Sequence, residues 1–151
     1  MDAVTYPNQA VSTFIHQKVV PLRLPSDQQP QAAEYRITWT PALLILDENG
    51  IEQHRIVGFL DEIQLIPALL LGIGNLDYYK GNFSRALDCY GRIIAEFPGS
   101  DAAPEAIFQR GVSLYKSTHN PTPLREAYEL LDSEYKHSLW RNRAYPYRLI
   151  P

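Results

Sequence analysis

Cys89 is the only cysteine in the 151-residue chain, so no intramolecular disulfide can form. It follows Asp88 in a stretch of helical periodicity, and no basic neighbour in the sequence would stabilise its thiolate. This context favours a packing role over redox chemistry. Histidines are also isolated and lack metal-ligand spacing: they are His16, His54, His119 and His137. The sequence shows no catalytic triad, phosphate-binding loop or carboxylate pair, so we predict no catalytic residue, no metal and no cofactor.

The composition indicates a folded protein, because 45% of the residues are hydrophobic and 21% are charged. Fourteen Lys and Arg against 17 Asp and Glu leave a net charge of −3, which does not indicate a nucleic-acid partner. The longest apolar stretch, 65–73, is interrupted by Pro67 and is about half the length of a membrane-spanning helix. Residues 1–7 lack the bases and apolar run of a secretory signal. We therefore expect a cytoplasmic protein with no membrane partner.

The first half of the chain has the pattern of an α/β domain. Asn8 can cap a helix whose apolar residues recur at helical spacing, and a second short helix is predicted over 31–35. Val19–Leu24 alternates like a strand. The unbroken apolar run 42–46 predicts a fully buried strand, and 51–57 predicts its hairpin partner across a tight turn.

The second half predicts helices only. Asp61 can cap a helix with one apolar side, interrupted or kinked at Pro67; that side consists of Ile63, Ile66, Leu69 and Leu70. Charge divides along the same line, with 4 bases and 8 acids in residues 1–70 and 10 bases and 9 acids in 71–151. The sequence thus predicts two domains, 1–70 and 71–151.

The second domain repeats itself at helix-pair spacing. Gly74 opens a stretch that is answered by Gly111, 37 positions later. Residues 97–100 (Phe-Pro-Gly-Ser) are answered by 135–138 (Tyr-Lys-His-Ser), 38 positions later. A period near 34 to 40 residues in a helical stretch is typical of stacked helix pairs.

This echo resembles the tetratricopeptide repeat. The residues that carry the resemblance are Gly74, the corner Tyr78 to Gly81, Ala86, Tyr90 and Pro98, with Gly111 opening a degenerate second copy. Small residues at Gly74 and Ala86 would let two helices approach closely, with Tyr90 filling the space beside them. The pattern departs from the family at Asp77, where an aromatic residue is usual. The resemblance implies a groove that binds a protein or peptide; alternatively, two repeats only pack against the first domain.

Residues 35–50, which contain Trp39-Thr40-Pro41, and residues 55–60 resemble the C-terminal half of a thioredoxin-like domain. The resemblance implies a cis peptide bond before Pro41 and a peptide-binding loop formed by Trp39, Thr40 and Pro41, in which the backbone of Thr40 pairs with a bound peptide. An unrelated α+β unit with a prolyl turn is the alternative.

Thioredoxin-like redox chemistry requires Cys-x-x-Cys, which this chain lacks. In the subgroup that residues 2–24 resemble, the cysteine pair lies a few residues before the equivalent of Met1, after a central strand. The resemblance therefore implies an N-terminally truncated domain with an exposed sheet edge, through which the chain could form a homo-oligomer.

The predicted fold class is thus a partial thioredoxin-like α/β sheet with flanking helices, followed by an all-α region of tetratricopeptide-like hairpins with a C-terminal capping tail. The first functional hypothesis is a non-catalytic module that binds a protein or peptide. The second is the major part of a thiol-disulfide oxidoreductase whose Cys-x-x-Cys lies just upstream of Met1. The third is a structural subunit that buries Trp39 or Trp140 in an oligomer.

Overall fold

The computed structural model describes all residues, 1–151, which divide into two compact units, Met1–Ile66 and Pro67–Pro151. The sequence boundary at 70/71 lies four residues beyond this division. The first elements are α1 (Gln9–Lys18), α2 (Gln31–Glu34), β1 (Ala42–Leu46) and β2 (Glu52–Val57). They are followed by α3 (Glu62–Tyr79), α4 (Phe83–Glu96), α5 (Ala103–Thr118), α6 (Thr122–Glu134), α7 (Leu139–Ala144) and a 3₁₀ helix over Tyr145–Leu149. The chain is therefore mostly helical with one small sheet.

Helix α1 begins where the sequence predicts. The Asn8 side-chain oxygen accepts hydrogen bonds from the backbone N–H groups of Ala10 and Val11, at 2.9 and 3.3 Å. This satisfies donors that the first helical turn leaves without a partner. Of the predicted apolar stripe, Val11 and Phe14 are buried and Ile15 is half-buried, whereas Ala10 is exposed.

The predicted hairpin is also confirmed. Strands β1 and β2 pair antiparallel, with Ala42 opposite Val57 and a bulge at Ile45/Leu46. In the turn, the Asp47 carboxylate accepts hydrogen bonds from the N–H groups of Asn49 and Ile51, at 2.8 and 3.0 Å. An aspartate that bonds to backbone amides two and four residues later fixes the turn locally, which explains why a short sequence pattern predicts it.

The prediction of a strand over Val19–Leu24 is wrong. This segment is irregular, and the sheet has only two strands. Val20 and Leu22 are 97% and 78% exposed. Alternating residues favour an extended backbone, but a strand also needs a neighbour for its N–H and C=O groups. No element of this chain pairs with the segment, and Pro21 removes one of its donors.

The expectation that β1 is fully buried is wrong as well. Only Ile45 is buried, at 8% exposure, and the other four residues of the strand are half-buried. A two-stranded sheet gives β1 a neighbour on one side only. The strand is therefore more apolar than its partial burial in this chain requires.

Helix α3 is capped by Asp61, whose carboxylate accepts hydrogen bonds from the N–H groups of Ile63 and Gln64 at 3.0 and 2.8 Å. The helix continues through Pro67 without interruption. Ile63 was expected on the buried side, but it is 64% exposed. It lies in the first turn, where the chain provides no cover, whereas the other residues predicted on this side, Ile66, Leu69 and Leu70, are buried. The predicted absence of strands after Val57 is confirmed, and none of the helices is both long enough and apolar enough to cross a membrane.

The 38-residue echo has a structural counterpart. Phe97 and Tyr135 end α4 and α6 with the same backbone angles, φ −132° and ψ 47°. In each case the carbonyl of that residue accepts a hydrogen bond from a serine three positions later, Ser100 at 3.0 Å and Ser138 at 2.9 Å. The repeated sequence therefore encodes a repeated helix ending, which starts α5 in one copy and α7 in the other.

Candidate functional site

The segment Trp39-Thr40-Pro41 forms an exposed loop that leads into β1. The Thr40–Pro41 bond is cis, as the thioredoxin-like resemblance implies. The Trp39 side chain is 70% exposed, and Thr40 is exposed as well. The Pro41 carbonyl accepts a hydrogen bond from the Gly58 N–H at 2.9 Å, whereas Thr40 takes part in none of the chain's backbone hydrogen bonds. We call this segment, with the end of the hairpin beside it, the Pro41 loop surface.

Other apolar side chains lie on the hairpin strand that faces this loop. Val57 pairs with Ala42, and the Gly58 N–H donates to the Pro41 carbonyl, so the end of β2 lies beside the start of β1; Phe59 follows Gly58 in the chain. Val57 and Phe59 are 51% and 60% exposed. The Pro41 loop surface therefore combines backbone groups without partners and exposed apolar side chains.

The segment that enters this loop is anchored to the hairpin. Arg55 forms two hydrogen bonds with the Glu52 carboxylate, at 2.7 and 2.5 Å, and these hold the Glu52 pKa below its usual value. The same guanidinium donates to the backbone carbonyls of Tyr35 and Arg36. In turn, the Tyr35 hydroxyl donates to the Gly50 carbonyl at 3.0 Å. Residues 35–36 are thus held by hydrogen bonds, while Thr40 is left available.

In the helical unit, the structure brings together the residues singled out at Gly74 and Tyr90. A Cβ at Gly74 would lie 2.7 Å from Cε1 of the Tyr90 ring, which confirms the predicted close contact of α3 and α4. Tyr90 and Ala86 are fully buried. A glycine at this position is required by close packing.

A polar network that the sequence did not indicate extends from this contact. The Tyr90 hydroxyl donates to the Asn75 side-chain oxygen at 2.8 Å, and the Asn75 amide donates to Glu105 at 3.3 Å. Burial raises the pKa of Tyr90 and also that of Glu105, although the Asn75 hydrogen bond and the charge of Arg143 oppose the shift at Glu105. Nothing in local spacing connects position 75 with position 105, so only the tertiary structure reveals the network.

The remaining repeat residues occupy turns and helix contacts. Gly81 has a φ of +77°, which lets the Asn82 N–H reach the Asp77 carbonyl at 2.8 Å and close α3. Tyr78 packs edge-on against Phe83 across this corner. Pro98 lies just beyond the end of α4. Gly111 faces α6, where an added Cβ would be 2.8 Å from the Pro123 carbonyl oxygen.

Two cavities lie in the helical unit. One of about 380 Å³ is bounded by Pro98–Asp101, Tyr135 and the segment Ser138–Trp140. The other, of about 350 Å³, lies between α4 and α6 above α5, and we call it the α4–α6 groove. The residues of this groove used below are Gly91 and Ala95 of α4, Ile107 and Arg110 of α5, and Glu126 and Leu130 of α6.

The C-terminal tail packs on the helical core. Ala144 is fully buried in a cluster with Ile107 and Leu131, and Trp140 packs against this cluster. The guanidinium of Arg143 lies over the Trp140 ring at 4.4 Å. Trp140 therefore serves the core of this unit, whereas Trp39 is exposed.

The isolated side chains of the sequence do not gather into a reactive site. Cys89 is half-buried in α4, next to the Gly74 contact. His54 is half-buried in β2, and burial lowers its pKa. No three His, Cys, Asp or Glu side chains come together as a set of metal ligands. Comparisons with protein-family models, curated proteins and solved structures found no match for this chain.

Proposed function

We propose that this chain is a protein- or peptide-binding module, composed of a thioredoxin-like unit and a tetratricopeptide-like helical unit, and that it binds an extended peptide at the Pro41 loop surface. The observation that carries the proposal is Thr40, which is exposed and makes no backbone hydrogen bond, beside the exposed Trp39 ring. Function at this surface requires no catalytic residue and no cofactor.

The binding mode follows from the backbone. An extended peptide beside Thr40 would exchange hydrogen bonds with its N–H and C=O, as strands do at a sheet edge. Each such bond contributes about 0.5–1.5 kcal/mol net. The apolar side chains of Trp39, Val57 and Phe59 would cover the peptide's own apolar residues.

Trp39 supplies the largest contribution. A tryptophan that is 70% exposed presents roughly 140 Å² for burial. At about 25 cal/mol per Å², covering all of it corresponds to about 3.5 kcal/mol, and partial covering to about half of that. Loss of the ring should therefore weaken binding by ten-fold or more.

Selection of linear peptides from a random library on the full chain tests the proposal, followed by affinity measurement with labelled peptides. We expect Trp39→Ala to weaken the selected peptides by at least about ten-fold. The Thr40→Val variant keeps the backbone N–H and C=O groups and should bind the peptides normally. The Thr40→Pro variant lacks the N–H donor at this position and should not bind them.

Leu139→Ala is the matched control, because Leu139 is an exposed apolar side chain, 59% accessible, beside the 380 Å³ cavity of the helical unit. Binding that depends on Leu139 and not on Trp39 would move the peptide site to the helical unit and contradict the assignment to the Pro41 loop.

A second candidate function is thiol-disulfide exchange by a longer chain with Cys-x-x-Cys just upstream of Met1. One observation favours it: β1 is apolar but only half-buried, and it has a neighbouring strand on one side only, so a further strand would cover its other edge.

Translation of the reading frame upstream of Met1 tests this second candidate. This candidate predicts that the upstream sequence encodes a strand followed by Cys-x-x-Cys. It also predicts that the extended chain reduces disulfides and that a variant with both cysteines changed to serine does not. An upstream sequence without the cysteine pair rejects it and leaves the binding proposal unaffected.

A further inference from the structure

The α4–α6 groove lies between two helices that both pack against α5. The backbones of α4 and α6 do not approach each other closely. The space between them has a volume of about 350 Å³, with Ile107 of α5 in its lining. That volume is near the lower limit of typical ligand pockets and leaves ample room for an apolar side chain.

Gly91 leaves space on the α4 side of this groove because it has no side chain. It lies in the interior of α4, and an added Cβ would meet no atom within 4 Å. Glycine is unfavourable inside a helix, and here no packing contact within the chain requires it. Ala95 lies one turn further along the same wall. Both residues leave room for a group that approaches from outside the chain.

The opposite wall supplies a matching protrusion. Leu130 of α6 lines the groove and is 39% exposed. Arg110 and Glu126 also line the groove, are exposed, and form none of the chain's ion pairs. One surface therefore carries a recess, an apolar side chain, an unpaired cation and an unpaired anion.

We propose that the α4–α6 groove binds a second copy of this chain in a two-fold symmetric dimer. In a two-fold interface, any contact from residue i to residue j is matched by the contact from j to i. Leu130 of each copy enters the recess beside Gly91 of the other, and Arg110 of each copy faces Glu126 of the other. A second copy fits this surface because both halves of the contact are present on one chain.

Sedimentation equilibrium of the full chain over a range of concentrations tests the proposal. The wild type is expected to shift from 17.2 kDa toward twice that mass as concentration rises. Arg110→Glu and Glu126→Arg should each weaken the dimer by roughly ten-fold or more at low salt, since each places like charges opposite one another. Lys116→Glu, an exposed charge reversal on α5 away from the groove, is the control and should dimerise like the wild type.

An equimolar mixture of the two charge variants is the decisive measurement. In a mixed dimer, the acidic side chain introduced at position 110 of one copy would face the basic side chain introduced at position 126 of the other. At the symmetry-related contact, the native Glu126 of the first copy would face the native Arg110 of the second. The mixture should therefore recover wild-type affinity, although each variant alone does not.

Gly91→Leu tests the recess without charge changes. An added Cβ at this position meets no atom within 4 Å, and the leucine side chain would occupy the groove, so helical content should be preserved while dimerisation is lost. A wild type that stays at 17.2 kDa throughout overturns the proposal. Charge variants that dimerise like the wild type also overturn it, because association would then occur elsewhere, for example at the sheet edge. A mixture of the two variants that fails to recover wild-type affinity overturns it as well.

Discussion

Two glycines inside neighbouring helices should respond oppositely to the same substitution. Gly91 lies in α4 and Gly111 in α5, and each would gain a methyl group on mutation to alanine. At Gly91 the new Cβ meets no atom within 4 Å. At Gly111 it would lie 2.8 Å from the Pro123 carbonyl oxygen and 2.9 Å from the Ala127 Cβ.

The expected magnitudes follow from two contributions. Replacing glycine by alanine in a helix interior stabilises a protein by about 0.5–1 kcal/mol. At Gly91 nothing opposes this gain. At Gly111 the backbone of α6 must move, and overpacking of this kind costs about 1–3 kcal/mol. Gly91→Ala should therefore raise the free energy of unfolding by about 0.5–1 kcal/mol, and Gly111→Ala should lower it by about 1–2 kcal/mol.

Urea unfolding followed by circular dichroism at 222 nm measures both effects. The protein should be dilute enough to be monomeric, because Gly91 also lines the proposed dimer groove. Equal m-values in the two variants would show that only stability has changed. If Gly111→Ala proved as stable as Gly91→Ala, the close approach of α5 and α6 inferred from the distances at Gly111 would be refuted.

Three further substitutions test the polar groups. Tyr90→Phe leaves the buried Asn75 oxygen without a donor and should cost about 1–3 kcal/mol in urea unfolding; a loss below about 0.5 kcal/mol would argue against the hydrogen bond. Burial raises the pKa of Glu105, so the folded state holds its proton to a higher pH than the unfolded chain and stability falls as pH rises through that range. Glu105→Gln should therefore stabilise the protein at neutral pH, and the advantage should vanish below the ordinary carboxyl value of 4.5; a constant advantage would contradict the cause. Burial lowers the pKa of His54 below 6.5, so the contribution of the neutral imidazole to stability should be full above that pH and should decline as pH falls. A pH series of unfolding midpoints measures this dependence, and His54→Gln should remove it.

The helices were largely predictable because their signals are local. Caps such as Asp61 act on amides two and three residues away, and apolar residues three and four positions apart define a helix face. The helix endings at Phe97 and Tyr135 lie in segments of similar sequence 38 residues apart, and they have the same backbone angles.

The candidate binding residues were predictable only in part. The sequence singled out Trp39, Thr40 and Pro41 by resemblance, but it contained no indication that Arg55 would anchor the segment before them. Likewise, Leu130 and Gly91 come from different helices, and no sequence spacing brings them to one groove.

The amino-acid sequence by itself determined the helices and the turn of the hairpin. Each of these depends on interactions between residues within a few positions of one another. The tertiary structure alone decided that Val19–Leu24 is not a strand and that β1 is only half-buried, because strand pairing and burial need a partner that alternation cannot supply. It also decided which polar groups meet across helices, as at Tyr90, Asn75 and Glu105, because that depends on how the helices pack.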